Sequence, residues 1–292
     1  MPITANTKNA LKQNEWWRNI VKVELSAEDS YFPEMIVEVN YQYSSKRSVM
    51  SDDDLLGNLR DPAVGFRGDN LPYHLDLAHA LFLDRLHEGA TVLEIGCGGG
   101  QARSWFAAKK LHYVGTDISR TRVHEHLQEN GGADLLCDAH FLPFKDAVFD
   151  VVYSAAVFEH LACPIRALQE ISRVLKPGGN LLGNVSFLEA WHDSSYFHMS
   201  PLGVLEILTE AKLTPIAVWP SRGYSGFHAL SRMSFAPWNP IRYFGTLLHQ
   251  ANLAERSFKA IVRRALKRTE KPDILAQCQI AGAMDWIAQK RA

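Results

Sequence analysis

The 292-residue chain has few cysteines and no surplus of either charge. Its four cysteines, Cys97, Cys137, Cys163 and Cys278, form no CxxC pair. A disulfide framework is therefore not expected, and reduced thiols are. Lys and Arg total 31 against 32 Asp and Glu, a net charge of -1. No overall basic field speaks for nucleic acid, and no nucleic-acid partner is expected. No apolar run approaches the ~20 residues of a membrane span. The stretch MPITANTKNALKQNEWW lacks the apolar core of a secretory signal, so a cytoplasmic location is the expectation. Repeats and low-complexity segments are lacking too. The twelve histidines form no zinc-type ligand set along the chain, and His124 and His126, at i,i+2, would not share a helix face.

What is present is an ordinary globular composition, 47% hydrophobic and 22% charged, sufficient for a large α/β core with extensions. Its most telling stretch is VLEIGCGGG at 92–100. Val92, Leu93 and Ile95 suit a buried strand, which breaks into glycines and re-enters as the helix-like run QARSWFAAKK. Such a turn lets backbone N–H groups approach a ligand closely. From 91 onward the chain alternates strand and helix. Strands are predicted at 91–95, 112–116, 133–137, 149–154, 180–186 and 213–219, with a last one near 226–234. Helices are predicted at about 75–87, 100–109, 119–129, 164–174 and 201–211. The alternation predicts a doubly wound, mostly parallel, seven-stranded sheet. Upstream, Trp16, Trp17, Ile20 and Val21 have helical spacing, and IVEVNYQY at 36–43 alternates as a strand does. Downstream of Pro237 and Pro240 the pattern reads as helices. One of them, SFKAIVRRALKR, is basic, with Phe258, Ile261, Val262 and Leu266 on one side.

Two ligands compete for the glycine turn. A dinucleotide pattern would want a small residue at 101, where Gln101 stands. Asp117 follows at the spacing of a ribose-binding carboxylate, which suits any nucleoside ligand. S-adenosylmethionine has no pyrophosphate and needs acidic groups on successive strand ends. Glu94, Asp117 and Asp138 occupy such positions, where open α/β sheets bind ligands.

The order of these segments resembles the class I S-adenosylmethionine-dependent methyltransferases, with their Rossmann-like fold. VLEIGCGGG, YVGTDIS at 113–119, LLCDAHFLPF at 135–144, FDVVYSAAVFEHL at 149–161 and LKPGGNLL at 175–182 match five motifs in sequence. The resemblance covers roughly 75–235. It implies S-adenosyl-L-methionine as cofactor and S-adenosyl-L-homocysteine as product. It implies cofactor contacts from Glu94, Gly96, Cys97, Gly98, Asp117, Ile118, Asp138, Ala139 and Ser154. Asp117 would take the ribose hydroxyls, Asp138 the adenine amino group and Ala139 would offer its backbone. Glu94 is expected to cap the loop amides or to orient the cofactor's amino-acid end through water. Asp138 could instead cap a helix, and Asp150 could serve a structural hydrogen bond.

Methyl transfer from a sulfonium is an in-line displacement, so placement matters most. A hydroxyl acceptor needs a base, for which His160 after the fourth strand and His192 or His198 in the loop 187–200 are candidates. Tyr73, His74, Trp191 and Tyr196 are candidate acceptor contacts, although packing explains each singly. No carboxylate cluster of the kind that holds magnesium can be assigned, so metal-independent transfer is expected. The expectation is O-methylation of a small molecule, a secondary metabolite or a sugar or glycan precursor. N- or C-methylation, a nicotinamide oxidoreductase and a non-catalytic cofactor-binding partner are the alternatives. The chain divides into an N-terminal cover (1–70), the cofactor domain (71–235) with its substrate loop near 187–200, and a helical C-terminal extension (236–292). For the basic helix, a solvated face packed on the domain or a homo-oligomer contact is expected ahead of a peripheral anionic membrane surface.

Overall fold

The computed structural model describes residues 57–60, 62, 71, 75–119, 131–192, 194–222, 224–232, 240–266 and 274–291. The expectations for the N-terminal cover, for the helix at 119–129, and for Tyr73 and His74 lie outside the described residues, apart from short pieces near 57–62 and Leu71.

Helix α1 (Leu77–Leu83) leads into β1 (Thr91–Ile95), α2 (Arg103–Ala108), β2 (His112–Asp117), β3 (Leu135–Leu136) and β4 (Phe149–Ala155). A 3-10 turn, Phe158–His160, precedes α3 (Pro164–Val174). Then come β5 (Leu175–Ser186), α4 (Pro201–Glu210), β6 (Leu213–Pro220), α5 (Gly226–Arg232), α6 (Pro240–Ala265), α7 (Ile274–Cys278) and β7 (Ala283–Lys290). The seven strands lie in the order β3-β2-β1-β4-β5-β7-β6. The pairings from β3 through β5 are parallel, and β7 runs antiparallel between β5 and β6. The α/β, mostly parallel seven-stranded sheet expected from the sequence is the fold observed.

Both faces of the sheet are covered, so its central strands are apolar without alternation. Leu93, Val152, Leu181, Val218 and Trp286 pack on one side. Val92, Val151, Tyr153, Leu182 and Trp219 pack on the other, against Ala78, Leu83 and Phe106 of the helices. Helix α3 begins with Pro164 in its first turn and buries Ala167, Leu168, Ile171 and Val174, a stripe at helical period. Gly183 is required opposite Trp286, because a Cβ there would sit 2.1 Å from the indole.

The last strand departs from the sequence expectation. Residues near 226–234 form helix α5 instead, and the antiparallel strand is Ala283–Lys290, inside the segment expected to be helical throughout. The sheet is thus completed by the far end of the chain. AMDWIAQK hides its strand character because six consecutive residues, Ala283 to Ala288, are buried on both faces and show no alternation. Helix α6 packs on α5 through Gly245, whose added Cβ would lie 2.7 Å from the Ser231 nitrogen, and through His249, whose Nδ1 lies 2.9 Å from Ser225 Oγ. Phe258, Ile261 and Leu266 point outward rather than onto the domain. Among the described residues no helix is long and apolar enough to cross a membrane.

Candidate active site

The glycine turn is folded over the end of β2. The amides of Gly96 and Cys97 donate to the Thr116 carbonyl at 2.8 and 3.0 Å. Gly96 has φ +72°, and a Cβ there would come within 2.1 Å of Val157 Cγ2, so this glycine is demanded by contact with the loop after β4. Gly98 has φ +52°, but its Cβ would meet nothing closer than Gln101 Oε1 at 3.8 Å. The turn is therefore tight against protein at 96 and open at 98. Cys97 is buried, and burial pushes its thiol far above the ordinary range, so it acts as a loop filler and not as a thiolate.

Asp117 closes β2 and binds the turn. Its Oδ2 accepts from the Gly98 amide at 2.9 Å and its Oδ1 from the Ser119 amide at 3.1 Å. Each carboxylate oxygen retains a second lone pair, which a ribose diol can use. Ile118 beside it is 52% exposed, an apolar surface next to the carboxylate. At the end of β3, Asp138 Oδ1 accepts from the His140 amide at 2.9 Å and from its Nδ1 at 2.5 Å. The His140 bond holds the Asp138 carboxyl below its usual range. His140 Nε2 in turn accepts from the Cys163 amide at 3.2 Å, which fixes the neutral tautomer with its proton on Nδ1. Both His140 bonds are to Oδ1 of Asp138. Ala139 is buried beside it. A carboxylate with spare lone pairs, an open glycine floor and an acceptor on the next strand end fit the ribose and adenine of S-adenosylmethionine.

Glu94 does not cap the loop amides, which are satisfied by Thr116 and Asp117. It accepts from the Tyr113 hydroxyl, because Tyr113 and Glu94 project to the same face of adjacent parallel strands. Burial pushes its carboxyl up to about 7, against the Tyr113 bond and the nearby Arg103 charge. Arg103 bonds Asp134 and the Gly132 carbonyl, both at 2.9 Å, and Asp134 also accepts from the Gly115 amide at 2.9 Å. Asp150 serves structure: it accepts from the Thr91 amide and hydroxyl, both at 2.8 Å, and pairs with Lys176. Ser154 is fully buried near the end of β4, and its hydroxyl finds no partner among the described residues.

The candidate bases named from the sequence lie where β4 and β5 finish. His160 closes the 3-10 turn, and the loop after β5 brings His192 and His198 to it. The rings of His160 and His192 stand edge to face at 5.4 Å, and those of His192 and His198 lie 5.8 Å apart. All three candidate bases are thus neighbours. The loop is pinned by backbone bonds from Tyr196 and Phe197 to the Glu159 carbonyl at 2.7 and 3.2 Å. Trp191, 76% exposed, and Tyr196, 65% exposed, rim the cluster. The Trp191 indole donates to the Ser195 carbonyl at 3.0 Å, and Ser195 Oγ lies 3.3 Å from His198 Nε2.

Glu159 lies fully buried beneath these imidazoles, and burial raises its carboxyl above the usual range. Ser186 Oγ is 2.9 Å from Glu159 Oε1 and 2.7 Å from Glu189 Oε2. One hydroxyl proton cannot serve both carboxyls at once. The sequence reading named no metal ligand, yet ligand atoms of Glu159, His160 and His192 all lie within 4.8 Å of one another. Spacing concealed the group because two of its members are on one turn and the third on a separate loop.

A second buried polar group was also missed. Asp285 of β7 accepts from Asn184 Nδ2 at 2.9 Å, and burial drives its carboxyl strongly upward. Fully buried His79 places Nε2 3.0 Å from the Trp286 carbonyl, and burial drives its imidazole downward. Arg222 Nη1 donates to Asp76 Oδ1 at 3.0 Å nearby in this network. The one available signal was a lone acidic residue in an apolar run at 283–288.

Residues 93–183 match the family described as "Methyltransferase domain". The chain is similar to Probable tRNA methyltransferase 9B of Homo sapiens, 36% identical over 104 residues, which are 35% of this chain and 22% of that protein. It is similar also to the fatty-acid O-methyltransferase of Mycolicibacterium smegmatis, 31% identical over 180 residues, 57% of this chain and 61% of that one. Among solved structures, phosphoethanolamine N-methyltransferase 2 of Haemonchus contortus in complex with S-adenosyl-L-methionine is 16% identical with a TM-score of 0.46, covering 89% of this chain and 62% of that one. The chain thus spans less than two thirds of the curated relatives it matches. Residues 93–183 thus carry a methyltransferase domain, whose motif order resembles that of the class I S-adenosylmethionine-dependent methyltransferases.

Proposed function

We propose that this chain transfers the methyl group of S-adenosylmethionine to a hydroxyl oxygen of a small molecule, a secondary metabolite or a sugar or glycan precursor. The observation that carries the reading is the convergence of His160, His192 and His198 where β4 and β5 end, beside exposed aromatic side chains. The cofactor, when bound, supplies an electrophilic methyl group. Asp117 and Asp138 hold its nucleoside end, and the Gly98 turn lets it lie close to backbone. The Trp191, Tyr196 and Phe197 rim holds a planar or ring-shaped acceptor and sheds water from it. An imidazole of the cluster takes the hydroxyl proton as the oxygen attacks in line. The likeness to the fatty-acid O-methyltransferase supports oxygen as the accepting atom. The tRNA methyltransferase likeness is confined to 104 residues, 35% of the chain, and so speaks for the cofactor fold more than for the acceptor.

The test is incubation of the full chain with S-adenosylmethionine and separate panels of hydroxylated small molecules, amines and total tRNA, read by mass spectrometry. A gain of one methyl on oxygen, with equimolar S-adenosylhomocysteine, is expected in the first panel. Methylation only of tRNA or only of amines would overturn the reading.

A further inference from the structure

We propose that Glu159, His160 and His192 form a site for one divalent transition-metal ion of the zinc class at the acceptor end of the pocket. The inference rests on reading that corner as the acceptor side and deepens it.

Geometry comes first. The three ligand atoms lie within 4.8 Å of one another. Ligands at about 2.0–2.2 Å around one tetrahedral ion are about 3.4 Å apart, so a small rotation of the partly exposed imidazoles closes the set. Two imidazoles and one carboxylate suit zinc, cobalt, nickel or ferrous iron, whereas magnesium and calcium prefer oxygen throughout.

Orientation is the second argument. Glu159 Oε1 accepts from Ser186, while Oε2 is buried and has no hydrogen-bond partner among the described residues. A buried carboxylate oxygen left without a partner costs free energy that a cation would recover. His192 Nδ1 lies 2.9 Å from the Ala190 carbonyl, so Nδ1 carries the proton and Nε2 presents a lone pair. Metal-binding imidazoles are commonly fixed by such a bond from the far nitrogen, and ligating carboxylates by a hydrogen bond to the far oxygen. Both features are already present. Glu189, the other carboxyl on Ser186, adds negative charge that favours a cation. Three protein ligands leave a fourth position open to an acceptor oxygen, whose proton an adjacent ion would make more acidic.

The experiment uses the tag-free full chain, stripped with EDTA and titrated with Zn²⁺ by calorimetry, then with Co²⁺ followed by visible absorption. One equivalent of Zn²⁺ is expected, with a Co²⁺ d–d band. Glu159→Gln, which keeps shape and the Ser186 contact, and His192→Ala, on a partly exposed loop, should each weaken binding by more than about 10-fold. Zinc binding that is absent, or undiminished in both variants, would overturn the proposal. S-adenosylmethionine affinity is measured on the same samples. A chain that binds the cofactor but not zinc sinks the metal site alone, and one that binds zinc but not the cofactor sinks the methyltransferase reading.

Discussion

The amide of Gly98 donates to Oδ2 of Asp117 at 2.9 Å, so the glycine turn and the carboxylate proposed to hold the ribose form one hydrogen-bonded unit. A change at either residue disturbs the other. Replacing Asp117 with Ala removes the acceptor of the Gly98 and Ser119 amides and the expected partner of the ribose hydroxyls. Affinity for S-adenosylmethionine should fall about 10–100-fold, which is about 1.4–2.8 kcal/mol. Calorimetry reads the change, and an unaltered dissociation constant refutes the ribose role.

Gly96 is constrained by packing as much as by ligand. Gly96→Ala would place a Cβ 2.1 Å from Val157 Cγ2 at φ +72°. A destabilisation of about 1–3 kcal/mol from overpacking is expected, with backbone strain added. Val157→Ala in the same chain should recover the overpacking part and leave the strain. Urea unfolding of the two single variants and the double variant checks this. Purely additive effects would mean that the contact is not what excludes a side chain.

Glu94 gives the protein a pH dependence of definite sign. Its carboxyl titrates at about 7 when folded against a reference value of 4.5, because burial disfavours its charge. The folded chain therefore holds a proton that the unfolded chain has released between these values. Stability from this group is complete below about 4.5 and is lost as pH rises through about 7, by up to about 3 kcal/mol. Glu94→Gln should be the less pH-sensitive protein across that window. The melting temperatures of the two forms, compared at pH 5 and pH 8, give the answer. A difference between them that does not grow with pH refutes it.

The His198 ring lies 5.8 Å from that of His192, and its Nε2 lies 3.3 Å from Ser195 Oγ. If it takes the acceptor proton, His198→Ala should lower turnover about 10²–10⁴-fold with cofactor affinity unchanged. Unchanged turnover would exclude His198 as the base.

Much of the cofactor half was legible because its signals are local. A strand, a glycine turn and an acidic residue at the next strand end lie in consecutive segments, and the parallel alternation of strand and helix places those ends side by side. Even there, spacing could not show that Tyr113 bonds the Glu94 carboxyl in place of the loop amides, since that depends on pairing β1 with β2. His140 was passed over because its role depends on meeting the Cys163 amide from another element.

The sequence by itself determined the α/β class, the strand-end positions of the acidic residues and the glycine turn, because these depend on patterns a few residues long and on the handed succession of strands and helices. Tertiary structure alone decided three things. It set the last strand at 283–290, whose burial on both faces erases any period. It gathered Asp285, Asn184 and His79 into one buried polar group. It seated Glu159, His160 and His192 around a common point. Each is a meeting of side chains from segments far apart in sequence, and such meetings are fixed by how the sheet closes and its loops pack, which no local spacing records.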